Sequence, residues 1–266
     1  NSLKANKVIV IDTKLPFVTF TYDDPDTLVR FEDGTLNITA TFSDSIQSDS
    51  IPKITVDFPG VTTGDVSAAN MIRTSGTVFT YPLTLIDGST GIITITISAY
   101  DKALNALPAD SVFRGTAVTI DNTDPVFTLL SPDSNSYVNH AKVGYKLSET
   151  SFSGNVTWER IGGTVDANSP HIATLSASEL DAATTFADYS LTNIPTSLVS
   201  GTTYSITWSA TDTAGNISAD FISTPVYYDT TAPTAVLAYS QYFATADSVV
   251  TITATFNERA LPKPQI

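Results

Sequence analysis

Short runs of alternating apolar and polar residues, broken by turn-forming residues, fill this chain. In Tyr204-Ser205-Ile206-Thr207-Trp208-Ser209-Ala210 every second residue is apolar. A strand sends successive side chains to opposite faces, so Tyr204, Ile206, Trp208 and Ala210 share a core face. Similar runs predict strands near 17–22, 36–42, 54–58, 71–73, 78–85, 92–99 and 115–120. A second set falls near 126–130, 141–147, 154–158, 172–175, 189–192, 203–210 and 223–228. No stretch has the period of a long amphipathic helix. The nearest candidate is Ala177–Ala183, at most two turns.

The two sets of strands are copies of one plan. Asp12-Thr13-Lys14-Leu15-Pro16, Asp121-Asn122-Thr123-Asp124-Pro125 and Asp229-Thr230-Thr231-Ala232-Pro233 stand 109 and 108 residues apart. A fixed period of this length marks tandem domains. Seven short strands per period predict an all-β fold of tandem immunoglobulin-like sandwiches. One repeat spans 12–120 and the next 121–228. Residues 1–11 are expected to be the last strand of a preceding repeat, because Val8–Asp12 aligns with Val226–Asp229. Residues 229–266 are expected to begin a third repeat, because Thr251–Phe256 matches Asn37–Phe42. On that alignment Lys263–Ile266 falls near its third strand, and the chain reads as part of a longer protein.

Composition narrows the function. Of 266 residues 42% are hydrophobic, enough for packed cores, and Thr, Ser, Val, Ile, Tyr and Phe suit strands. A net charge of −14 argues against nucleic acid and anionic membranes as partners and favours solubility, cations or both. There is no cysteine, so no disulfide stabilises the sandwiches. No apolar run of 18 residues predicts a membrane span.

Residues 198–216, with Asp212-Thr213-Ala214-Gly215-Asn216, and the linker Asp229–Pro233 resemble the bacterial immunoglobulin-like repeats of large surface adhesins. The resemblance covers essentially the whole chain. It implies a sandwich fold and a tandem, often calcium-stiffened stalk in an extracellular, cell-surface protein of a prokaryote. Repeat one departs from the pattern: its turn is Asp101-Lys102-Ala103-Leu104-Asn105, without the glycine. A tyrosine corner is expected at Tyr204, whereas repeat one has Ile93 there. Asp121–Phe127 also resembles part of a cadherin calcium linker.

The candidate chemistry lies in repeated acids. In such a sandwich the linker, the loop after the second strand and the loop before the last strand meet at one end. Repeat one places Asp12, Asp44 and Asp101 there, and repeat two places Asp121, Glu149 and Asp212. Asp229 and Glu258 are the corresponding pair of the third repeat. Gathered carboxylates repel unless a cation or protons neutralise them. All-oxygen ligands suit calcium, and Asp124, Asn105, Asn216 and linker carbonyls would complete the shell. The competing reading is local: Asp and Asn favour turns because they bond to nearby backbone.

Other residues point away from catalysis. No phosphate loop, zinc spacing or nucleophile elbow is present, and the acids recur with the repeat as active sites seldom do. The chain is therefore expected not to be an enzyme. His140 and His171 have no partner pattern and read as surface or sandwich-edge residues. Trp158 and Trp208 read as core, Trp158 as the third-strand tryptophan of these sandwiches. Asn37, Asn155 and Asn216 open glycosylation sequons. The leading reading is a structural or adhesive segment: an adhesin stalk, surface-layer or filament subunit. Its partners would be neighbouring repeats, further copies or a cell-surface glycan. The alternatives are a glycan- or protein-binding module, using the 161–170 loop, and accessory domains of an extracellular hydrolase.

Overall fold

The computed structural model describes residues 11–258 except 24–27, 31–34, 59–63, 86–89, 110–114, 116, 195–196, 242, 244 and 247. The strand expected before residue 12 thus lies almost wholly outside the described residues, as does Lys263–Ile266.

Among the described residues every regular element is a strand. The first group comprises β1 (Val18–Tyr22), β2 (Leu28–Arg30), β3 (Thr35–Phe42), β4 (Lys53–Asp57), β5 (Val66–Asn70), β6 (Ile72–Arg73), β7 (Val78–Thr84), β8 (Thr90–Ser98) and β9 (Ala117–Asp121). They form two sheets, ordered β1-β3-β7-β6 and β2-β9-β8-β4-β5. The second group comprises β10 (Phe127–Ser131), β11 (Ser136–Val138), β12 (Val143–Leu147), β13 (Ser151–Gly163), β14 (His171–Thr174), β15 (Phe186–Tyr189), β16 (Thr202–Asp212) and β17 (Phe221–Tyr228). Their sheets are β10-β12-β15 and β11-β17-β16-β13-β14. In both groups the chain crosses between sheets early. β1 and β10 pair antiparallel within one sheet, while β2 and β11 pair parallel with the last strand of the other. This is the immunoglobulin-like β-sandwich.

Burial follows the alternation. Strand β16 is buried at Thr202, Tyr204, Ile206, Trp208, Ala210 and Asp212 and more open at every residue between. One core cluster draws its residues from Val18 to Ile120 and another from Phe127 to Val226. Trp158 and Trp208 are fully buried in the second, although neither indole N–H has a hydrogen-bond partner. Such burial contributes on the order of 2–3 kcal/mol per large side chain.

Segment 177–183 forms turns and no helix. Ser176 and Glu179 complete a capping-box-like turn there, with the Ser176 amide and hydroxyl donating to Glu179 Oε2 at 2.8 and 2.7 Å. After residue 229 the described strands are β18 (Ala235–Tyr239) and β19 (Ile252–Phe256). Their partners Ala235–Phe256, Leu237–Ala254 and Tyr239–Ile252 repeat the register of Val18–Phe42, Phe20–Ala40 and Tyr22–Ile38. Among the described residues no helix is long and apolar enough to cross a membrane.

Candidate cation sites at the sandwich ends

Each site starts from a turn. After β8, Asp101 Oδ1 accepts the amides of Ala103 and Asn105 at 2.8 Å each, and its Oδ2 accepts Asn105 Nδ2 at 2.8 Å. After β16, Asp212 Oδ1 accepts the amides of Gly215 and Asn216, and its Oδ2 accepts Asn216 Nδ2 at 2.8 Å. The second turn uses Gly215 at a φ of 93°, a conformation glycine adopts without strain. The first turn lacks that glycine and holds Leu104 at a φ of 72° instead. Both aspartates are buried, and each Oδ1 accepts two backbone amides. The local turn chemistry expected of these residues is therefore present.

The same turns also face other acids. Asp12, Asp44 and Asp101 form one group and Asp121, Glu149 and Asp212 a second, each offering carboxylate oxygens within 4.8 Å of one another. Two oxygens that each lie about 2.4 Å from one ion are at most about 4.8 Å apart, so the spacing fits shared calcium coordination. Residues far apart in sequence converge because the linker, the loop after β3 or β12, and the turn after β8 or β16 occupy one end of each sandwich.

The asparagines also bond to the linker. Asn105 Nδ2 donates to the Asp12 carbonyl at 3.2 Å, and Asn216 Nδ2 donates to the Asp121 carbonyl at 3.0 Å. They fasten the linker to the turn through nitrogen. Asn216 is 1% exposed, and its Oδ1 has no hydrogen-bond partner. That amide lies between two members of the acidic group, so its lone-pair oxygen suits a cation. Burial, and then the charges of Asp121, Asp212 and Asp124, push the Glu149 carboxyl up to about 7. Asp124 thus acts on the group through its charge without being one of the three gathered acids.

Asp229 and Glu258 form a pair, the partial third site. The Thr231 amide and then the Ser200 hydroxyl hold Asp229 below its ordinary value, and Glu258 reaches the same carboxylate. Glu258 Oε1 is otherwise buried without a partner.

A second polar cluster gives His171, a sandwich-edge residue as expected, a partner that no sequence pattern showed. It opens the edge strand β14, yet it is only 9% exposed, and its Nε2 lies 2.6 Å from Asp166 Oδ2. The Tyr204 hydroxyl donates to the same oxygen at 2.6 Å and accepts the Val199 amide at 3.0 Å. The second of these bonds makes the tyrosine corner expected in repeat two. Asp166 stands in the loop between β13 and β14, where no motif ties it to Tyr204 38 positions later. His140 is exposed and lies 3.6 Å from Asp188.

No protein-family model matches the chain, and no curated protein matches it. Among solved structures it is similar to the fibronectin(III)-like modules of Clostridium thermocellum CbhA. Identity there is 15%, with 79% of this chain and 94% of that chain covered and a TM-score of 0.29. The sandwich assignment rests on the sheets themselves.

Proposed function

We infer that this chain is a load-bearing or spacing segment of an extracellular prokaryotic repeat protein, in which calcium stiffens the junctions between sandwiches. One observation carries the reading: the same three-acid group forms twice, from the same three loops, at the end of each sandwich where the linker arrives. Asp12, Asp44 and Asp101 would hold one ion, and Asp121, Glu149 and Asp212 another. The ion would neutralise gathered carboxylates and tie the linker to its sandwich. The resemblance to bacterial immunoglobulin-like repeats agrees with this role. Isothermal titration of the whole chain with calcium tests it. Two ions per chain are expected, since the Asp229–Glu258 pair lacks a third acid. A chain that binds none contradicts the reading.

A second reading, a glycan-binding module, has one observation in its favour. Tyr137 and Tyr227 stack at 4.6 Å on the outer face of the five-stranded sheet, with Tyr137 77% exposed. An aromatic face of this kind suits a pyranose ring. A glycan array probed with wild type and Tyr137→Ala separates the two: glycan binding lost in the variant favours the module.

A further inference from the structure

The linker aspartate is gripped from both sides. On the side of repeat one, Thr90 opens β8 directly opposite Asp121, the last residue of β9. The Thr90 hydroxyl donates to Asp121 Oδ1 at 2.8 Å and lies 2.5 Å from the Thr123 hydroxyl. On the side of repeat two, Asn216 donates to the Asp121 carbonyl. The grip recurs one period later. The Ser200 hydroxyl, just before β16, donates to Asp229 Oδ1 at 3.0 Å and lies 3.2 Å from the Thr231 hydroxyl. It also accepts the Thr230 amide at 3.0 Å. Thus a hydroxyl on the outgoing side clasps an Asp-x-Thr linker at two successive junctions, once from threonine and once from serine.

A clasp at Oδ1 fixes the rotamer of Asp121 and leaves its carboxylate presented to Glu149 and Asp212. Loss of a side chain that orients a metal ligand without touching the metal typically lowers affinity by about 10–100-fold. A strand end needing only a cap would be served by any local donor, and would not demand the same linker oxygen in both repeats. The Asn216 amide touches both Asp121 and Asp212 through its nitrogen, and its buried oxygen is left without a partner, free to meet a cation.

We propose that Thr90 is a positioning residue for the cation site of the following repeat, so that each junction site is completed by two consecutive sandwiches. Ser200 makes the corresponding clasp on Asp229. The proposal rests on the calcium reading above. It makes ion binding sensitive to the seating of the linker on the preceding sandwich, and so couples affinity to the geometry of the junction.

The test uses the whole chain with Thr90→Val, Thr90→Ser and, as a control on the same strand face, Thr94→Val. Calcium is titrated while the side-chain amide resonances of Asn105 and Asn216 report the first and second sites separately. Thr90→Val is expected to weaken the second site about tenfold or more, the usual cost of losing an outer-shell partner. The first site should keep its affinity, which also shows that repeat one remains folded. Thr90→Ser restores the second site, and Thr94→Val leaves both unchanged. Equal second-site affinity in Thr90→Val and wild type overturns the clasp alone. Wild type with no calcium response at either amide overturns the calcium reading and the clasp with it.

Discussion

Tyr204 illustrates how one side chain serves two purposes. Its ring fills the second core, and its hydroxyl joins the Val199 amide to Asp166. Burial pushes the Asp166 carboxyl up, yet bonds from Tyr204, His171 and the Asn168 amide outweigh it and hold the carboxyl below its ordinary value. A depressed carboxylate stabilises the fold above its unfolded value near 3.8, and that stabilisation is lost as pH falls through the lower folded value. Repeat two should therefore lose stability in acid below about pH 4, and Asp166→Asn should remove much of that dependence. At neutral pH the same substitution is expected to cost about 2–3 kcal/mol, read from chemical denaturation. At this scale the sequence was uneven. Alternation puts Tyr204 and Trp208 inside, and the sandwich pattern adds Trp158 as a core tryptophan and Tyr204 as a tyrosine corner. Asp166 and His171 were not legible, because their partnership is made by a loop folding back onto β16.

Element boundaries show why strand lengths were harder to read than strand positions. β13 runs to Gly163, five residues beyond its expected end at Trp158, because it keeps pairing with β16 past a bulge between Arg160 and Gly162. Alternation fails there, so a pattern of apolar positions stops early. Gly163 sits at a φ of 70°, and a Cβ would meet the Gly201 carbonyl oxygen at 2.2 Å. Gly163→Ala is thus expected to destabilise repeat two by about 2 kcal/mol or more, through both the left-handed backbone and the clash. A lowered denaturant midpoint with an unchanged slope would agree; an unchanged midpoint would refute the strain. β2 and β11 escaped sequence reading for another reason. Each has three residues, and each is held by a parallel partner about 90 positions away. Nothing local marks such a strand.

Across the whole molecule the period proved the most informative signal. It marks the linker, loop and turn acids in both repeats, and the structure gathers them in the same two groups of three. It did not show how the asparagines and hydroxyls seat the linker, since those bonds depend on side-chain direction. Turn chemistry and cation binding share these residues: Asp101 and Asp212 give Oδ1 to turn amides and Oδ2 to the turn asparagine, whereas Asp44 and Glu149 have no part in those turns. The two readings part at Asp44 and Glu149. Without calcium, Glu149 holds a proton in the folded state up to about pH 7, so its contribution to stability falls as pH rises from about 4.5 to 7. An ion would replace that proton.

Thermal unfolding of the whole chain at pH 8, in calcium and in chelator, tests the central claim most directly when paired with Asp44→Asn/Glu149→Gln. Calcium at about a hundredfold above its dissociation constant adds about 2.7 kcal/mol per site. For sandwiches of this size that raises the midpoint on the order of 10 °C. The account predicts that shift in wild type and its loss in the double variant, whose midpoint in chelator is no lower than that of wild type. Identical wild-type midpoints in calcium and in chelator would contradict it, and leave the repeated acids as turn formers alone.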